Sequence, residues 1–133
     1  MEGFENPGTV VLIATGGMIP TMISVGDELQ KQGVKNISLI NANWLQPYDA
    51  SLLGRISESS AKLVVTMEDH YKSGGLGGIV AEYFSSLNQS PPLLRVGVNG
   101  FGQSGSPSDN LKAYGLDTDG VTKQVLARLQ TTN

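Results

Sequence analysis

The chain has 133 residues, of which 39% are hydrophobic and 16% charged, with a net charge of −3 at pH 7. This balance predicts one soluble globular domain and excludes a disordered chain. The absence of cysteine excludes disulfides and thiolate metal sites, and the single histidine excludes a multi-histidine zinc site. The sequence has no basic run, no apolar span of about 18 residues and no signal peptide. We therefore expect no nucleic-acid partner, no membrane partner and a cytoplasmic location.

Short apolar runs alternate with amphipathic segments along the whole chain. The runs predict buried strands, at 9–15, 37–40, 62–67 and 93–98. The segments between and after them predict helices, at 19–32, 49–57, 76–87, 106–114 and 121–129. Strict alternation of this kind predicts an α/β fold in which an open parallel sheet has helices on both faces.

Capping residues mark several of the predicted helix ends. Gly33 and Gly115 are placed to end the first and fourth helices, and Asp49 is placed to begin the second. The segment 106–109 has the form of a capping box. In the first helix, the predicted inward face consists of Ile19, Met22, Ile23, Gly26 and Leu29.

The third strand is followed by the chain's most informative polar residues, Glu68, Asp69 and His70. Ligands and partners of open α/β sheets meet the chain beyond the carboxyl ends of the strands, so chemistry or contact is expected there. A histidine beside a carboxylate can perform general acid–base work. The alternative is a polar cluster that holds the loop or pairs across a subunit interface, because the sequence places no nucleophile nearby.

A glycine-rich segment containing Gly74, Gly75 and Gly77 leads from this cluster into the next helix. Its free N–H groups could bind an anion. Alternatively, the glycines allow the helix to pack closely on the strand end or on a partner chain. A second pattern, Gly100-x-Gly102-x-x-Gly105, matches the dinucleotide fingerprint but follows the last strand, where the fingerprint's context is missing.

Gly16 and Gly17 follow the first strand. If the third strand lies beside the first, these glycines and the 68–70 cluster share one crevice at the point where the strand order reverses. Such a crevice could hold a small molecule or a neighbouring chain. Phe101 and Trp44 are the loop aromatics expected near it.

The sequence resembles the C-terminal domain of transketolases over nearly its whole length. The specific parts are Glu68-Asp69-His70-Tyr71 with the following Gly-Gly-Leu-Gly, and the segment 101–116. These motifs resemble transketolase more than deoxyxylulose phosphate synthase or pyruvate dehydrogenase beta-type subunits. The resemblance implies a single domain over residues 1–133, a three-layer α/β/α sandwich whose mostly parallel open sheet has four to five strands.

Transketolases are homodimers of the pentose phosphate pathway that transfer a ketol unit between sugar phosphates, using thiamine diphosphate and a divalent metal. In the family, a pyrophosphate domain and a pyrimidine domain hold the cofactor and the metal, and the motifs of those domains are absent here. The resemblance therefore implies a chain that binds no cofactor alone and has those two domains as partners. Most of the family's antiparallel first strand is also expected to be missing, which suggests an excised piece with an exposed strand edge that favours dimerisation.

We therefore predict the C-terminal domain of a transketolase-type transferase that serves dimer assembly and regulatory binding and is not catalytic alone. The alternative is a free-standing small-molecule binding module that uses the crevice at Gly16, Glu68 and His70. A third hypothesis is an independent enzyme that uses His70 with a carboxylate. The predicted crevice or interface residues are Gly16, Gly17, Glu68, Asp69, His70, Gly74, Gly75, Gly77 and Phe101, with no catalytic or metal-binding residue assigned.

Overall fold

The computed structural model of the protein describes residues 3–43, 45–100 and 105–132. Its strands are β1 (Val10–Ala14), β2 (Ile37–Asn41), β3 (Leu63–Tyr71) and β4 (Leu93–Val98). Its α-helices are α1 (Ile19–Lys31), α2 (Ala50–Glu58), α3 (Leu76–Ser85), α4 (Pro107–Ala113) and α5 (Thr118–Thr131), and a 3-10 turn at Gly16–Met18 precedes α1. No helix in the described ranges is long and apolar enough to cross a membrane.

The four strands form one parallel sheet in the order β2-β1-β3-β4. Val10 lies opposite Ile37 and Leu63, and Ala14 lies opposite Asn41 and Met67. β1 therefore has β3 as its neighbour, so the strand order reverses between them. This confirms the predicted open parallel sheet.

Helices cover both faces of the sheet, which confirms the three-layer α/β/α architecture. Alternate residues of β1 face opposite sides, because successive side chains of a strand point in opposite directions. Leu12 packs with residues of α1 and α5, whereas Ile13 packs with residues of α2 and α3. β1 is buried along its whole length, as expected for a central parallel strand.

The helix ends that were predicted from capping residues agree with the structure. The Asp49 side chain accepts a hydrogen bond of 2.9 Å from the Leu52 N–H at the start of α2. Ser106 accepts one of 3.2 Å from the Asp109 N–H at the start of α4. Gly33 has a positive φ of 91°, a backbone conformation that favours glycine, just beyond the end of α1.

Two predictions about individual elements are wrong. Ile23, predicted to face inward, is 49% exposed, because α1 turns Met22, Val25 and Leu29 toward the sheet and leaves Ile23 beside that stripe. β3, predicted to end at Met67, continues to Tyr71. Pairing with β4 extends the strand: after an irregularity the register resumes with Tyr71 opposite Val98.

The N-terminal segment contributes to the core, which the sequence did not indicate. Phe4 is completely buried among residues of the α2 and α3 face, with the Arg55 guanidinium 5.1 Å from its ring centroid. The Thr9 hydroxyl donates to the Gly3 carbonyl at 3.1 Å. Residues 3–8 therefore form a bent segment packed on the domain, without strand structure.

Candidate functional site

The Glu68 carboxylate lies at the amino end of α3 and is 1% exposed. One of its oxygens accepts a hydrogen bond of 2.9 Å from the Leu76 N–H, and the other accepts one of 2.7 Å from the Gly77 N–H. The first N–H groups of a helix have no partner within the helix, and the helix dipole favours a negative charge at that end. The carboxylate therefore occupies the anion-binding position of α3 from within the chain.

Glycines surround this carboxylate because no larger residue fits. A Cβ atom on Gly75 would overlap the Glu68 Oε1. One on Gly77 would lie 2.9 Å from the Thr66 hydroxyl, and one on Gly97 would lie 3.3 Å from the Glu68 Cγ and 2.9 Å from the His70 carbonyl. These distances are shorter than ordinary van der Waals contacts. Glu68 can therefore occupy this space only because all three positions lack a side chain.

Each of the two interpretations of the glycine-rich segment describes part of this arrangement. The glycines do let α3 approach the end of β3 closely, and its free N–H groups do bind an anion, which is the chain's own Glu68. Gly97, on β4, was missed by sequence reasoning. Its signal was a glycine inside a predicted strand, which often marks a place where another group approaches closely.

Asp69 and His70 differ from Glu68 because both are exposed to solvent. The His70 Nδ1–H donates to the Tyr71 carbonyl at 2.9 Å, since a carbonyl oxygen can only accept. The His70 ring also lies edge-on to the Tyr71 ring, with centroids 6.0 Å apart. The 68–70 cluster is thus divided, with one buried carboxylate that holds a helix end and two exposed polar side chains.

Gly16 and Gly17 lie exposed in the turn that follows β1. This turn adjoins the end of β3, where the Thr15 N–H donates to the Met67 carbonyl at 3.3 Å. The predicted proximity of the two strand ends is therefore present. The use of these residues as a crevice or interface stays a prediction, and Phe101 and Trp44 lie outside the described residues.

A cavity of about 490 Å³ opens elsewhere, at the carboxyl ends of β1 and β2 between α2 and α3. The walls are largely aliphatic, and Asp49 supplies the one charged side chain among the lining residues. Neither Gly16, Glu68 nor His70 lines it. The lining residues are Ile13, Ile40, Asn41, Ala42, Asn43, Leu45, Pro47, Tyr48, Asp49, Leu52, Leu53, Leu76, Ile79 and Val80. Sequence reasoning missed this cavity because segments distant in sequence form its walls.

The part of the chain that the structure describes offers no cluster of metal ligands. No group of three histidine, aspartate or glutamate side chains within those ranges could ligate a metal ion. The buried carboxylate, Glu68, already accepts two backbone hydrogen bonds. We therefore derive no reaction step through thiamine diphosphate or a metal from this chain.

The Glu68→Gln variant tests the internal anion. The glutamine side chain keeps one acceptor oxygen, but its NH2 group faces one of the two backbone N–H groups that Glu68 binds. That buried N–H donor then has no acceptor. We expect the free energy of unfolding to fall by about 2 kcal/mol, as measured by urea denaturation. Asp69→Asn, one residue away and exposed, is the matched control and should change stability by less than about 0.5 kcal/mol. Equal stability of the two variants would contradict the assignment.

The Gly75→Ala variant tests the packing around the carboxylate. The added methyl group displaces Glu68, so we expect a loss of about 1–3 kcal/mol in the free energy of unfolding. The control is Gly78→Ala in the same helix, where the new Cβ would lie 3.5 Å from the Lys72 carbonyl, an ordinary contact. That substitution should be neutral or stabilise the protein by about 0.5–1 kcal/mol. A destabilised Gly78→Ala with an unaffected Gly75→Ala would refute this packing scheme.

Comparison with known proteins identifies the family. The family model described as "Transketolase, C-terminal domain" matches residues 6–121. A Methanocaldococcus jannaschii protein described as a putative transketolase C-terminal section is 34% identical over 122 residues, which are 91% of this chain and 37% of that protein. A 1-deoxy-D-xylulose-5-phosphate synthase of Clostridium tetani is 32% identical over 126 residues, or 94% of this chain and 20% of the enzyme.

A solved structure agrees with these sequence relatives. A chain described as "Split gene transketolase, inactive beta4 tetramer" superposes with a TM-score of 0.82 and 29% identity, over 98% of this chain and 42% of that one. The present chain thus spans less than half the length of each of these three proteins. They include both transketolase-type proteins and a deoxyxylulose phosphate synthase, so the finer preference for transketolase stays a prediction. On this evidence the chain belongs to the transketolase C-terminal domain family.

Proposed function

We propose that this chain is the C-terminal domain of a thiamine-diphosphate-dependent, transketolase-type transferase of the cytoplasm. It assembles with a pyrophosphate domain and a pyrimidine domain, forms a homodimer and is not catalytic alone. Those partner domains hold the cofactor and its divalent metal. The observation that carries the proposal is that Glu68, the one charged side chain buried among the described residues, has both carboxylate oxygens committed to the backbone of α3.

The polar side chains at the end of β3 support a role in assembly. A catalytic acid or base needs a reacting group within hydrogen-bond reach and a site that excludes water. Both Glu68 oxygens already accept backbone hydrogen bonds and the residue is 1% exposed, whereas Asp69 and His70 stand in solvent. The same exposure suits Asp69 and His70 for contacts with another domain or subunit, where charged groups set orientation and partner choice.

The relatives support the same role. Each is longer than this chain, which matches 37% of the Methanocaldococcus jannaschii protein and 42% of the split-gene transketolase chain. The split-gene protein is an inactive tetramer of one kind of subunit. By analogy, this domain associates with copies of itself and gains activity only with the remaining domains.

The reaction we propose is ketol transfer between sugar phosphates, as in the pentose phosphate pathway. The similarity to 1-deoxy-D-xylulose-5-phosphate synthases makes formation of that compound the competing reaction. Both belong to enzymes of this family, and the C-terminal domain alone does not distinguish them. The assembled enzyme should therefore be assayed for both products.

Reconstitution tests this proposal. The purified chain, supplied with thiamine diphosphate, Mg²⁺ and sugar phosphates, should show no turnover. When it is co-expressed with the pyrophosphate and pyrimidine domains encoded in the same genome, the complex should transfer the ketol unit. The control complex lacks this chain. Turnover by the chain alone, or equal turnover by the control complex, would refute the proposal.

A second function, small-molecule binding, is favoured by the cavity between α2 and α3. Its volume of about 490 Å³ lies within the range of about 300–1,000 Å³ typical of ligand sites. The lining is aliphatic, with amide, phenol and carboxylate groups from Asn41, Asn43, Tyr48 and Asp49 and no cationic side chain. A site of this charge favours a neutral ring compound over a phosphorylated sugar. The crevice at Gly16, Glu68 and His70 stays a separate prediction.

Binding of the neutral fluorescent probe N-phenyl-1-naphthylamine tests the cavity. We expect saturable binding with one site per chain and a raised melting temperature, whereas ribose 5-phosphate should leave the melting temperature unchanged. Leu52→Trp, which fills the cavity from α2, should abolish binding. Ile23→Trp, on the exposed side of α1, is the matched control. Equal binding by the two variants would exclude this cavity as the site.

A further inference from the structure

Asn99 and Gly100 form an exposed pair directly after β4. The strand ends at Val98, whose carbonyl accepts a hydrogen bond of 3.4 Å from the Lys72 N–H. Beyond this bond, neither the Asn99 side-chain amide nor the Gly100 N–H has a hydrogen-bond partner among the described residues. The two neighbouring groups are therefore available to react with each other.

Gly100 leaves its own backbone nitrogen accessible. It has a positive φ of 87°, and a Cβ at this position would have no atom within 4 Å. Glycine adopts a wider range of backbone conformations than any other residue. It also lacks the Cβ that would hinder the approach of the Asn99 side chain to this nitrogen.

We infer that Asn99 is a site of spontaneous deamidation, with the Gly100 nitrogen as the nucleophile. After the Gly100 N–H loses its proton to solvent base, the nitrogen attacks the Asn99 Cγ. The new N–Cγ bond closes a five-membered succinimide ring, and the Cγ–Nδ2 bond breaks. The departing nitrogen takes up a proton and leaves as ammonia, so the step needs no oxidant, metal or second protein.

Water then opens the ring in one of two ways. Cleavage of the bond between the Gly100 nitrogen and Cγ leaves aspartate at position 99. Cleavage of the bond between that nitrogen and the main-chain carbonyl carbon leaves isoaspartate, in which the main chain runs through the former side chain. Either product adds one negative charge to the −3 of the unmodified chain. The new carboxylate arises at the same carboxyl edge of the sheet as Asp69 and His70.

Other asparagines of the chain lack this combination, since no other one precedes a glycine. Asn6 precedes Pro7, whose nitrogen has no proton to lose. The Asn36 side chain donates to the Pro7 carbonyl at 3.2 Å. Asn110 lies within α4. Asn88 is the closest match to Asn99, because it is exposed just beyond α3 and differs in having glutamine as the next residue.

The test follows Asn99 and Asn88 in the same sample of the folded chain. Trypsin releases them separately, Asn99 within residues 96–112 and Asn88 within 73–95. During incubation at neutral and alkaline pH, position 99 should gain the mass by which water exceeds ammonia, at a rate proportional to hydroxide concentration. Fragmentation mass spectra should assign the change to residue 99 and show both aspartate and isoaspartate. Equal rates at Asn99 and Asn88 would overturn the inference.

Two variants exchange the neighbours of these asparagines. Gly100→Gln gives Asn99 the neighbour of Asn88 and should slow the reaction at position 99. Gln89→Gly gives Asn88 the neighbour of Asn99 and should start the reaction at position 88. Deamidation of Gly100→Gln at the rate of the unmodified chain would exclude the Gly100 nitrogen as the nucleophile.

The contribution of the fold is tested by repeating the measurement in urea. Residues outside hydrogen-bonded structure open at almost no free-energy cost, so the folded chain should react within about tenfold of the unfolded rate. A larger reduction in the folded chain would show that the structure protects Asn99 and would refute the inference.

Discussion

The contact between the Glu68 carboxylate and the amino end of α3 determines how the carboxyl edge of the sheet is built. A buried carboxylate is costly unless hydrogen bonds replace its hydration. The N–H groups of Leu76 and Gly77 supply those bonds at 2.9 and 2.7 Å. Hydrogen bonds to a charged group contribute about 1.5–3 kcal/mol each, and the helix dipole adds to them. The position of α3 over the end of β3 follows from this pairing.

This interaction also decides which parts of the surface remain open for function. The glycine-rich turn, an obvious anion site in isolation, is already filled by the chain itself. What remains open nearby is the largely aliphatic cavity between α2 and α3. A mostly apolar pocket of this size suits an uncharged ligand.

The sequence by itself determined the element order, the parallel sheet, the family and most helix ends. β4 was predicted with both of its observed bounds, and Asp49 and Ser106 were predicted as caps. These features depend on neighbouring residues, because apolar periodicity and capping act over one or two turns of chain. The sequence left open whether β3 lies beside β1, and the tertiary structure decided that it does.

Only the tertiary structure decided which side chains are buried and hydrogen-bonded and which remain exposed to solvent. Nothing local distinguishes Glu68 from Asp69, yet one is buried with two hydrogen bonds and the other stands in solvent. The difference arises because strand residues alternate between faces and α3, eight residues later, covers only one of them. Likewise, pairing with β4 lengthened β3, and the burial of Phe4 and the exposure of Ile23 followed from how α1 and α2 are placed on the sheet. These outcomes depend on contacts between segments far apart in the chain, which local sequence patterns do not contain.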